Sequence, residues 1–270
     1  MANEGEEFAE GFFVDPQERN PLRAATQGAR PQPIKRFYET ATVEPQGGGF
    51  AVLLDGKGVR TPARRPLRGP SAWFAEALAA EWASQGASID PASMPLTRLV
   101  NTAIDGVAQR MAEVEEDVVK YGGSDLICYR ASEPEGLVRE QAAQWDGLIA
   151  FARETLQARL TLAEGVIFTP QPAEAVAAIA SAVRRYVGAD AGSHFRLAAL
   201  HTMTALTGSC MIALAVALGK LEVERAWTAA NVDEDFEMNA WGVDDEALAR
   251  RERRFAEMRA AAFISRLSMQ

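Results

Sequence analysis

The stretch LAALHTMTALTGSCMIALAVALG, Leu197 to Gly219, decides the fold class. It holds no formally charged residue, and Ala, Leu, Thr, Met and Ile occupy nearly all its helical faces. A helix that is apolar all round must be buried, in a protein core or in a bilayer. Small residues such as Ala205, Gly208, Ser209 and Ala213 would let neighbouring helices approach closely. Gly219 supplies a C-terminal stop, and Lys220 a cation at the negative end of the helix dipole. The pattern predicts one buried helix over 197–219. Roughly 20 apolar residues can span a bilayer. Here the first half carries His201, Thr202, Thr204 and Thr207, no second span exists, and no basic cluster flanks it. A core helix is expected, without membrane insertion.

Beyond Gly219 the character reverses. Between Leu221 and Ala247 there are nine acidic residues against one basic residue, Arg225. The same sign runs through the chain of 270 residues, with a net charge of −9 and a pI near 5.0. That balance argues against nucleic acid, because phosphate binding needs a basic surface. Cys128 and Cys210 stand far apart in apolar settings, as reduced thiols of an intracellular protein do. Met1 to Glu10 is acidic and lacks an apolar core, so a secretory or Arg-rich transit peptide is not expected.

In order, residues 1–33 read as a flexible arm. Lys35 to Val43, Phe50 to Leu54 and Val59 to Thr61 are strand-like, and Asp55-Gly56 is a hairpin signal. Gly47-Gly48-Gly49 is a turn, since no Lys-Ser/Thr and no helix follow it. A helix from Ser71 to Gln85 puts Phe74, Leu78 and Trp82 on one face. Shorter helices follow over 94–104 and 107–121, then a strand-like run over 126–129. From Ser132, which has capping-box spacing to Glu135, the chain is almost wholly helical, with helices over 173–187 and 245–267. The fold class is α+β: a mixed N-terminal domain over 34–130 and a helical C-terminal domain over 131–270.

The chemistry-bearing inventory is thin. His194 and His201 have no Cys or carboxylate at metal-ligand spacing, so a zinc site is not expected. No nucleotide motif appears. Of the carboxylates, Glu234 stands out. On one continuous helix it shares a stripe with Trp227, Ala230, Met238 and Trp241. It therefore either meets a cation, such as an arginine of the last helix, or faces outward amid apolar side chains as protein-binding surfaces do. An enzyme with a carboxylate site near Glu234 remains the alternative.

Three motifs then converge: MPLTRLVNTAID over 94–105, SDLICYRA over 124–131, and LTGS over 206–209 leading to the acidic segment and Trp241-Gly242. In order and spacing they resemble the assembly chaperones for the α subunit of the F-type ATP synthase catalytic sector, found in mitochondria and α-proteobacteria. The resemblance runs from about Arg36 to Leu267. It implies no catalysis and no cofactor, a monomer in the bacterial cytoplasm, and a partner, the free α subunit, held until it joins the β subunit. It points to Glu234, Glu237 and Trp241 as partner contacts. An unassembled ring subunit exposes an apolar interface that invites aggregation. Covering it needs shape, apolar anchors and charge rather than reactive groups.

Overall fold

The structure is a computed structural model that describes residues 34–165, 167–242 and 244–268. The expected arm over 1–33 lies outside them. Packing divides the chain at Gly106/Val107. The sequence reading put this division near residue 130. The difference lies in the helix Met111–Gly122, which packs against helices further along the chain and belongs to the second unit.

The first unit contains β1 (Ile34–Lys35), β2 (Ala41–Gln46), β3 (Gly49–Leu54), β4 (Lys57–Gly58), β5 (Arg68–Gly69), α1 (Ala72–Ala83), β6 (Ser88–Ile89) and α2 (Pro95–Asp105). β2, β3 and β4 form an antiparallel meander, β5 also pairs with β3, and β1 pairs with β6. The Asp55-Gly56 signal is the turn between β3 and β4. Both residues have positive φ, 47° and 77°, as a two-residue hairpin loop requires. The Asp55 carboxylate also accepts from the Thr40 backbone N–H at 2.8 Å. Glu81, on α1, sits at the start of α2. Its carboxylate accepts from the N–H groups of Leu96 and Thr97 at 2.8 and 2.7 Å, taking up donors that a helix N-terminus leaves unpaired.

α1 lies against β2 and β3, with Phe74, Leu78 and Trp82 on the buried face. Trp82 meets Tyr38 edge-on at 5.9 Å, and the Tyr38 hydroxyl donates to the Trp82 carbonyl at 2.7 Å.

The second unit is helical apart from one short strand pair. Its elements are α3 (Met111–Gly122), β7 (Tyr129–Arg130), α4 (Glu135–Glu154), β8 (Ala163–Glu164), α5 (Ala173–Val187), α6 (Ser193–Thr207), α7 (Cys210–Ala217), α8 (Val223–Ala230), α9 (Val232–Trp241) and α10 (Asp245–Ser265). β7 and β8 pair in parallel. α6 is the hub, packed against α10, α7, α3 and α5. Burial of the stretch from Leu197 agrees with its composition, but the single helix over 197–219 is two. α6 starts four residues earlier and takes in Arg196, which is buried. That guanidinium donates to the Val187 carbonyl at 2.9 Å and to Asp190 at 2.7 Å. α6 ends at Gly208, where φ is 66°, and Ser209 caps α7 by accepting from the Ile212 N–H at 3.0 Å. The acidic segment also breaks. Asn231 separates α8 from α9, and its side-chain amide donates to the Trp227 carbonyl at 2.7 Å. Ser132 does not cap α4, which follows Pro134 without a side-chain cap. None of the described helices is long and apolar enough to cross a membrane.

Trp82→Arg should destabilise the first unit by about 4 kcal/mol or more, because it combines loss of a large core side chain with burial of an unpaired charge. Thermal melting and soluble yield check this. A variant that melts like the wild type would place Trp82 outside the core.

Candidate functional site

Asp125 ties the centre of the second unit together. It is fully buried just after α3 and opens the turn over 126–128. One carboxylate oxygen accepts from the Ile127 N–H at 3.3 Å, the other from the Met211 N–H at 3.0 Å, in the first turn of α7. The Leu126 N–H donates to the Gly208 carbonyl at 3.1 Å. Two of the motifs quoted above, 124–131 and 206–209, are therefore in contact. Burial raises the Asp125 carboxyl to about 6, against the opposing effect of donors from Ser209, Met211, Ile127 and Cys210. Burial and the nearby Asp125 charge push the Cys128 thiol up to about 12 and raise Cys210 as well. Both are buried thiols unsuited to nucleophilic work at neutral pH.

The acidic segment divides its carboxylates by task. The side-chain amide of Gln141 on α4, itself buried, donates to Asp233 at 2.7 Å, and its carbonyl oxygen accepts from the Ala131 N–H at 2.8 Å. Arg251 on α10 donates to Asp235, and the same nitrogen lies 3.6 Å from the Met238 sulfur. Asp233 and Asp235 thus moor α9 to α4 and α10. Between and beyond them, Glu234 and Glu237 are exposed, with no hydrogen bond or ion pair among the described residues. The sequence left open a bond from Glu234 to an arginine of the last helix. That bond exists, but Asp235 makes it. Glu234 adds only a longer-range charge, which helps to raise the Arg251 pKa behind the larger effect of the Asp235 hydrogen bond.

The expected stripe also changes. Trp227 is on α8, buried and stacked on Phe255 with ring centroids 5.4 Å apart, so it belongs to the core. The turn at Asn231 takes it off the face that carries Glu234. Trp241 closes α9 immediately before Gly242, whose φ is 93°. The signals missed in the sequence were Asn231 as a break and the alternation of moored Asp with unpartnered Glu. His201 and Asp117 form a 2.8 Å pair, and the described residues contain no group of His, Cys, Asp and Glu able to hold a metal ion.

The described residues thus offer exposed carboxylates on a helical unit whose two thiols are buried, an arrangement able to meet a cationic surface. Comparison identifies the class of the chain: the family model for ATP12 chaperone proteins matches residues 35–153. The crystal structure of Atp12 from Paracoccus denitrificans superposes with a TM-score of 0.78 and 39% identity, over 87% of this chain and 98% of that one. A candidate chaperone from Agrobacterium tumefaciens superposes with a TM-score of 0.83 and 45% identity, over 98% and 96%. The mitochondrial protein atp12 of Schizosaccharomyces pombe is 24% identical over 231 residues, 80% of this chain and 77% of that protein. The chain belongs to the ATP12 chaperone family, and its α+β order, a small β-containing part followed by a helical part, is that of the Atp12 fold. It is a chaperone of ATP synthase assembly.

Asp125→Asn should lower stability at pH 7.5 by about 1–3 kcal/mol, because an amide NH2 replaces one acceptor facing buried donors. The sign of its pH dependence follows from the raised pKa. Between about pH 4 and 6 the folded state holds a proton that the unfolded state has lost, so this carboxyl's contribution is full below that window and falls as pH rises through 6. The wild type's advantage over the variant should shrink by about 1 kcal/mol from pH 5 to pH 7.5. Urea unfolding at the two values checks it, and a pH-independent difference would contradict it.

Asp235→Ala should cost about 1–2 kcal/mol, below the loss for a fully buried pair, because the Asp235 side chain keeps 33% of its surface exposed. Its melting temperature should fall, whereas that of Glu234→Ala should not.

Proposed function

We propose that this protein binds the unassembled α subunit of the ATP synthase catalytic sector in the bacterial cytoplasm, as a monomer. It holds the subunit until the β subunit takes its place. The contact lies on α9 and uses Glu234, Glu237 and Trp241. The observation that carries the reading is the pair of exposed, unpartnered glutamates on a helix whose aspartates are tied down on both sides. Mooring keeps the helix in place without consuming Glu234 or Glu237, so their charge remains for a cationic partner surface. Family membership supports a chaperone over an enzyme with a carboxylate site at Glu234.

Glu234→Lys tests the reading. Charge reversal at an interface replaces attraction with repulsion and can cost several kcal/mol of binding. The variant should keep the wild-type melting temperature and lose α-subunit binding in a pull-down. A lowered melting temperature would make Glu234 a structural residue, and unchanged binding would remove it from the interface.

A further inference from the structure

The connector between α4 and α5 buries Leu156 and Ala158 at its start and runs on the surface further along. Its base is tied. The Gln171 side chain accepts from the Thr161 N–H at 2.7 Å and donates to the Thr161 carbonyl at 2.9 Å, while β8 pairs with β7. Above that base the chain exposes Ile167 and Phe168, at 79% and 65% of their surface. Exposed apolar side chains on a tied loop carry a hydration cost that a partner would relieve.

Phe168 also lines a cavity of about 660 Å³ against α3 and α5. Val119, Val176 and Ala180 supply its apolar wall, and Glu115, Glu116, Lys120 and Arg184 bring charges of both signs. Among the described residues none of these four charges has an ion-pair partner. Along α3 the two glutamates precede the lysine by about one turn. Carboxylates on the wall disfavour a nucleotide or a phospholipid headgroup. A purely apolar ligand would leave all four charges without partners. A polypeptide segment with an aliphatic face, a cation for the glutamates and a carboxylate for Lys120 or Arg184 matches both the wall and the charges.

We propose that this groove, with Ile167 and Phe168 beside it, is a second docking surface, and that it takes an amphipathic segment of the same unassembled ATP synthase subunit. The inference rests on the chaperone reading. Two anchors, one charged on α9 and one apolar at the groove, let the chaperone cover an aggregation-prone face that a single acidic helix would leave open.

Binding constants of purified α subunit, and separately of β subunit, for full-length wild type, Phe168→Asp, Glu116→Lys and Glu234→Lys decide it, each with a melting curve. Phe168 and Glu116 are exposed, so the first two variants should melt like the wild type. Each should weaken α binding by about tenfold or more, as loss of an interface anchor does. Wild-type affinity in either folded variant overturns the groove. If Phe168→Asp is unstable, Glu116→Lys alone decides. Loss of binding in Glu234→Lys with none in the groove variants rejects the groove and leaves the α9 reading standing; the reverse pattern rejects α9 and keeps the groove. Wild type that binds only β rejects the choice of subunit, and the same variants measured on β then decide the groove. Wild type that binds neither subunit overturns both readings.

Discussion

A single buried carboxylate holds together the pieces of chain on which the helical unit depends. Asp125 accepts from the turn at Ile127 and from the first turn of α7 at Met211, while its neighbour Leu126 donates to the carbonyl of Gly208. Without those bonds the interruption between α6 and α7 would leave buried donors and an acceptor unpaired, a state costlier than the bonds are favourable. With them the apolar run can bend at Gly208. α6 then serves as the hub for α10, α3 and α5 while α7 packs on α8. The carboxylate is costly in its own right, as its raised pKa shows. Its two acceptor oxygens serve donors on both sides at once, whereas the isosteric amide would turn an NH2 donor toward one of them.

The same economy runs through the acidic segment. A run of carboxylates on one short helix repels itself unless some are neutralised. Asp233 is held by a hydrogen bond from an amide and Asp235 is neutralised by a guanidinium, and in those roles they attach α9 to α4 and α10. Glu234 and Glu237 stay in water. A rigid helix presenting free carboxylates can bind a cationic surface with little loss of its own conformational freedom, which favours quick and reversible association. That is the physical requirement on an assembly chaperone, which must release its client.

Much of this was legible in the sequence. The expected helix over 173–187 is α5, Asp55-Gly56 marked a hairpin, and the spacing of Phe74, Leu78 and Trp82 marked a buried face. What escaped reading lay inside uniform stretches. Apolar composition alone does not register a break, so Leu197 to Gly219 read as continuous, although Gly208 followed by Ser209 is the stop-and-cap signal of two helices. Asn231 hid in the same way among acidic neighbours and carried Trp227 into the wrong stripe. Which carboxylate bonds Arg251 depends on how α9 and α10 face each other, and one-dimensional spacing does not contain that. The bond from Met211 to Asp125, 86 residues apart in the chain, lay beyond reach for the same reason.

The most direct test of the account is light scattering from purified α subunit as it aggregates, with increasing amounts of this protein and with ATP present or absent. Stoichiometric protection is predicted, complete at about one chaperone per subunit and unaffected by ATP, whose binding to the chaperone would otherwise also raise its melting temperature by mass action. Aggregation that proceeds undiminished, or protection by substoichiometric amounts that requires ATP, would contradict it.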